Sequence, residues 1–131
     1  MKIERFEDLD CWKQARVLTS LAYDLCDGRQ LGRDGRLRDQ LTGAAISVMN
    51  NVAEGFGCQS NTEFKRFLGY ARRSVSEVQS CLYVAADRNF VSIDDFQSVY
   101  KQSELTRKVI DGLLRYLRNK RNQRTQLTKP T

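Results

Sequence analysis

Nine apolar residues, Phe64, Phe67, Leu68, Ala71, Val75, Val78, Leu82, Ala85 and Ala86, recur at helical spacing along a stretch otherwise rich in polar residues. At 100° per residue they share a sector of about 100°, which makes one greasy face on a helix over about 61–87. A face that narrow must be covered by other elements, and three more stripes supply the cover. Cys11, Ala15, Leu18, Ala22 and Leu25 mark a helix over about 8–26. Leu37, Leu41, Ala44, Val48 and Val52 mark one over about 35–55. Phe96, Val99, Ser103, Thr106, Ile110, Leu113, Leu114 and Leu117 mark a fourth, from Ile93 to near Asn122.

The only proline is Pro130, so nothing upstream forces a helix to break. Ser60-Asn61-Thr62-Glu63 fits a capping box, and Ser92-Ile93-Asp94-Asp95 is a second cap with acids in the first turn. No period-two alternation bounded by hairpin turns occurs, so strands are not expected. The prediction is all-α: an antiparallel up-down four-helix bundle over 1–122, followed by a disordered basic tail over 123–131. "DGRQLGRDG", residues 27–35, reads as a polar loop punctuated by glycine.

The stretch "NNVAEGFGCQSNTEF", residues 50–64, has glycines that could cradle a phosphate. A phosphate loop would follow a buried strand and carry a lysine, and this one does neither. Gly55 and Gly57 are therefore read as the end of the second helix and Ser60 as the start of the third.

Charge is unevenly placed. Residues 1–100 carry 13 Lys/Arg against 14 Asp/Glu, a net of −1, whereas 101–131 carry 9 against 2, a net of +7. A basic last quarter points to a polyanion partner, RNA or DNA. The chain has no histidine, which removes the commonest general base and a common metal ligand. Cys11, Cys26, Cys58 and Cys81 are too scattered for a metal knuckle, and their number alone would permit disulfides. MKIERFEDLD is too charged for an export signal, and no apolar run approaches a membrane span, so a cytoplasmic protein is expected. Neither a catalytic constellation nor a cofactor or metal motif is visible, so an enzyme is not expected.

Three groups of residues remain after the stripes are assigned. Ser47, Asn51 and Glu54 form a row beside the second stripe, with Arg72 on the matching flank of the third. A Glu54–Arg72 pair is one reading and a solvated Glu54 the other, with Glu77 completing the expected polar cluster. The back of the third helix carries Gly69, Tyr70, Arg73, Ser76, Ser80 and Val84, small residues with an apolar one on a nominally wet side. Gly69, Tyr70, Ser76, Ser80 and Val84 are taken as a subunit interface. On the fourth helix Glu104–Lys108 and Asp111–Arg115 have i,i+4 spacing, a salt-laced solvent face. Beyond them Arg115, Arg118, Lys120, Arg121 and Arg124 have no acid among them. They suit a helix C-terminus through its dipole, or they contact phosphates, with Arg66 and Arg73 as additional contacts. This set is read as having no aromatic side chains interleaved with it, so base stacking is not expected.

"FEDLDCWKQARVL" (6–18), "AAISVMNNVAEGFG" (44–57) and "EFKRFLGYARRSVSEVQSCLYVA" (63–85) resemble the bacterial four-helix bundle proteins encoded in intervening sequences of 23S ribosomal RNA genes. The matching positions are Asn51, Glu54, Gly55, Phe64, Phe67, Leu68, Ala71, Arg72, Ser74 and Glu77, and the similarity runs from about Phe6 to Leu117. The resemblance implies a bundle that closes into a homo-oligomeric ring, typically a pentamer. It also implies kinship with the accessory variability proteins of diversity-generating retroelements, which bind reverse transcriptase and nucleic acid. Many relatives carry two arginines after Q-[LI] where this chain has Thr42-Gly43, which removes positive charge from the second helix. The expectation is a non-enzymatic ring that binds RNA or DNA as an accessory to a reverse transcriptase in a retroelement. The alternative is a protein-interaction scaffold that never meets nucleic acid.

Overall fold

The structure, a computed structural model, describes residues 3–120. A single 3-10 turn, Phe6–Asp8, leads into α1 (Asp10–Cys26). There follow α2 (Gln30–Arg33), α3 (Gly35–Phe56), α4 (Asn61–Asp87) and α5 (Ile93–Arg118). No strand occurs among the described residues. α1 and α4 each pack on both α3 and α5, so the four long helices stand at the corners of a square. Neighbours run antiparallel: Ser47 of α3 meets Ser74 of α4, and Gln79 and Arg72 of α4 meet Ser103 and Asp111 of α5.

The stripes read from the sequence are the core. Leu18, Leu41, Val48, Val52, Phe64, Leu68, Val75, Val78, Leu82, Ile110 and Leu117 are all fully buried. Burying each such side chain contributes about 1.5–3 kcal/mol, against about 1 kcal/mol for a cap, so packing positions the helices and the caps trim their ends. Ser60 Oγ accepts from Glu63 N at 3.2 Å, Ser92 Oγ from Asp95 N at 3.0 Å and Asp34 Oδ1 from Leu37 N at 3.0 Å. Glu63 turns its own carboxylate to Arg66, at 2.7 Å, instead of back onto Ser60.

Three expectations need correction. The loop over 27–35 contains the one-turn helix α2, whose Leu31 is fully buried. Gly32 is obligatory in that turn, because a Cβ there would lie 2.1 Å from the Cys26 carbonyl oxygen. Gly55 lies inside α3 and does not end it: a Cβ would lie 2.8 Å from Phe67 Cβ and 3.0 Å from Phe64 Cδ1, so its role is close approach of α4. Gly57 caps α3 with φ −75°, and the left-handed positions are Gly28 and Asn89 instead. The fourth helix ends at Arg118, short of Asn122, and the expected tail over 123–131 lies outside the described residues.

A belt of polar side chains crosses the waist of the bundle and bridges all four helix–helix interfaces. Thr19 Oγ1 donates to the Ala45 carbonyl at 3.1 Å, linking α1 to α3. Ser74 Oγ donates to Ser47 Oγ at 2.8 Å, linking α4 to α3. Gln79 Nε2 donates to Ser103 Oγ at 3.0 Å, linking α4 to α5. Gln102 Nε2 donates to Gln14 Oε1 at 2.9 Å, linking α5 to α1. Apolar clusters fill the bundle on either side of this belt. Because a one-turn slip would leave these buried and half-buried groups unpaired, the belt fixes the register of the four helices.

Candidate nucleic-acid interface

The register of α4 against α5 decides where the cations go. Arg72 flanks the buried stripe of α4 on the side that faces α5, and there its Nε lies 2.6 Å from Asp111 Oδ1. The expected Glu54–Arg72 pair is not made: Glu54 is exposed on α3, across a different interface of α4. Asp111 pairs with Arg72 instead of Arg115, and among the described residues neither Glu104–Lys108 nor Asp111–Arg115 forms an ion pair, so the intrahelical pairs expected on the fourth helix are not made.

Arg115 and Arg118 join Arg72, Asp111 and Leu114 around a cleft of about 220 Å³, with three guanidinium groups facing one carboxylate. A second cleft of about 370 Å³ continues along the same helix pair, lined by Gln79, Tyr100, Glu104, Arg107, Lys108, Asp111 and Arg115. The two share Asp111 and Arg115 and form one groove. Sequence reasoning missed Arg107. Its Nη2 donates to Ser76 Oγ at 2.6 Å and Gln79 Oε1 at 3.3 Å, while its buried Nε has no partner. The available signal was Gln79, a polar residue set within the apolar stripe of α4.

At the far end of the groove Phe96 and Tyr100 stack with centroids 5.5 Å apart, and Tyr83 lies edge-on to both. The Tyr100 hydroxyl has its pKa raised by the hydrogen bond with Tyr83 first and by burial second. Of these aromatic residues Tyr100 lines the groove together with the basic side chains.

Arg66 and Arg73 stand elsewhere, about 100° further round α4 from Arg72. Both sit over the Tyr70 ring, at 5.8 and 5.5 Å from its centroid, and Arg66 also covers Phe67 at 5.4 Å. Gly69 lies between these two basic groups, and a Cβ built on it would meet nothing within 4 Å. Contrary to the expectation of no interleaved aromatic, Tyr116 stands between Arg115 and Arg118 with Lys120 over its ring at 4.8 Å, while Arg121 and Arg124 fall outside the described residues.

A family model described as 23S rRNA-intervening sequence protein matches residues 7–112, which takes in almost all of the bundle. The chain belongs to that family. Among solved structures it is similar to a protein of unknown function from the S23 ribosomal protein family of Bacteroides thetaiotaomicron, with a TM-score of 0.72 at 15% identity. The superposition covers 79% of this chain and 97% of that one, and at such identity it speaks for the fold alone. No curated protein matches the chain.

The other positions of the family motif divide between packing and polar contacts. Asn51 Nδ2 donates to the Ser47 carbonyl and hydroxyl at 2.9 and 3.0 Å, and Ser47 in turn holds Ser74. Glu77 is exposed and stands apart from this group, where its charge, after burial, helps to raise the pKa of Cys81. Of the five residues expected at a subunit interface, Ser76 is engaged by Arg107, while Ser80 and Val84 are exposed. Among the described residues no helix is long and apolar enough to cross a membrane, and no cluster of three His, Cys, Asp or Glu could hold a metal ion.

Proposed function

We propose that this family member is a non-enzymatic, cytoplasmic nucleic-acid-binding bundle that uses the α4–α5 groove as its contact surface and works as a closed homo-oligomer. The observation that carries the reading is the convergence of Arg72, Arg115 and Arg118 from two helices on one cleft, where Asp111 is the one carboxylate among the described residues that line it. Guanidinium groups present fixed donors that match phosphate oxygens, and their excess over carboxylates favours a polyanion. Such contacts position a strand without reading its sequence. Within this reading a reverse transcriptase is the enzyme partner that the resemblance implies. Copies of the chain meet through Ser80 and Val84, of which Val84 is 46% exposed, and close into a ring of typically five.

Gel retardation of bulk RNA and single-stranded DNA tests the reading. The wild-type chain should retard both at low salt, and an Arg115→Gln/Arg118→Gln variant should lose most of the shift. A protein-interaction scaffold would retard neither.

A further inference from the structure

Between the groove and the Arg66–Tyr70–Arg73 group, α4 carries Gly69, a position without a side chain inside a long helix. Glycine is the poorest helix former after proline, and among the described residues nothing lies within 4 Å of a Cβ built at this point. A glycine on a helix surface allows a ligand to approach the backbone closely; Gly43 on α3 is equally open, but Gly69 has Arg66, Tyr70, Arg72 and Arg73 within four positions. Gly55 shows the internal case on the same pair of helices, with phenylalanine atoms at 2.8 and 3.0 Å from its virtual Cβ. Gly69 has the same bareness and no internal neighbour.

Resting on the reading above, we infer that a single nucleic-acid strand crosses α4 over Gly69, running from the Arg72–Arg115–Arg118 cleft to the Tyr70 platform. The charges on its path favour it: Arg66, Arg72, Arg73, Arg115 and Arg118 outnumber Glu63, Glu77 and Asp111, and two of those carboxylates already hold an arginine of the set. The chemistry at the far side of the crossing favours an unpaired strand. Tyr70 has the guanidinium carbons of both Arg66 and Arg73 within 6 Å of its ring centroid, so an aromatic ring and two cations share one patch. Bases splayed from a single strand stack on aromatic rings and on guanidinium planes, whereas bases held in a duplex present only their edges.

Fluorescence anisotropy with a labelled, unstructured single strand, as RNA and as DNA, and with its duplex tests the crossing, with light-scattering mass as a control. Tyr70→Leu should weaken single-strand binding about 5- to 100-fold and leave duplex binding unchanged, and Tyr70→Phe should keep wild-type affinity. Gly69→Leu should weaken single-strand binding at least tenfold at unchanged mass. Gly69→Ala should raise Tm by a few degrees, which shows that the helix itself accepts a side chain there. If Tyr70→Leu and Gly69→Leu bind the single strand within twofold of wild type while Arg115→Gln/Arg118→Gln does not, the crossing is wrong and the groove stands. If Gly69→Leu lowers the mass, this strip is the contact between copies, and the crossing is overturned. If the wild-type chain binds no nucleic acid at low salt, both readings fall.

Discussion

Arg72 and Asp111 form an ion pair across α4 and α5 at 2.6 Å, and its effect falls on charge more than on stability. With side-chain exposures of 46% and 32%, the pair stabilises the fold by at most about 1 kcal/mol. What Asp111 does is cancel one of three positive charges in the cleft. Asp111→Asn should therefore tighten binding of RNA or single-stranded DNA severalfold in anisotropy titrations, with a loss of less than about 1 kcal/mol in urea unfolding.

One substitution at two glycines should have opposite signs. Gly55→Ala drives a Cβ to 2.8 Å from Phe67 Cβ and should destabilise the chain by about 1–3 kcal/mol. Gly69→Ala meets nothing within 4 Å and should stabilise it by about 1 kcal/mol. Chemical denaturation of both variants checks the contrast.

Asn89 closes α4 in a left-handed conformation, with φ 59°. Phe90 N donates to the Ala85 carbonyl at 2.9 Å and Asn89 N to the Ala86 carbonyl at 3.0 Å, the two bonds of a Schellman cap. Asn89→Gly should keep both bonds and stabilise by up to about 1 kcal/mol, and Asn89→Val should cost about 1–2 kcal/mol, read as shifts in Tm.

Much of the fold was legible because periodicity is a local property. The α4 helix was bounded correctly by its cap residue Ser60 and by a stripe ending at Ala85-Ala86. α2 escaped because four residues are too few to show a period, although Leu31 anchors it in the core. The partner of Arg72 escaped for a different reason. The sequence shows which flank of a stripe a residue occupies, but the flank of α4 that carries Arg72 faces α5 and not the sequence-adjacent α3. The waist belt was hidden in plain view, since Ser103 and Thr106 were read as ordinary members of the fourth stripe and their partners come from other helices.

That belt predicts a large effect from one polar residue. Gln79→Ala removes the donor to Ser103 and an acceptor of Arg107, and it leaves a gap in a buried layer. The expected cost is about 2–4 kcal/mol in urea unfolding.

Burial pushes the Cys11 thiol from 9.0 up to about 12. A raised folded-state pKa means that the stabilisation is complete below the unfolded value and is lost as pH rises towards the folded one. Stability should therefore fall between pH 9.0 and about 12, with this thiol adding about 1.4 kcal/mol per pH unit to the slope. Cys11→Ala should flatten that part of the pH profile, measured by urea unfolding at each pH.

The most direct test is the salt dependence of binding to a labelled single strand, compared between the wild-type chain and Arg115→Gln/Arg118→Gln. Each phosphate neutralised on a single strand contributes about 0.7 to the slope of log Kobs against log salt. A fall in slope of about 1.4 in the double variant is the predicted result. Equal slopes, or a wild-type chain that ignores the strand at low salt, would contradict the account.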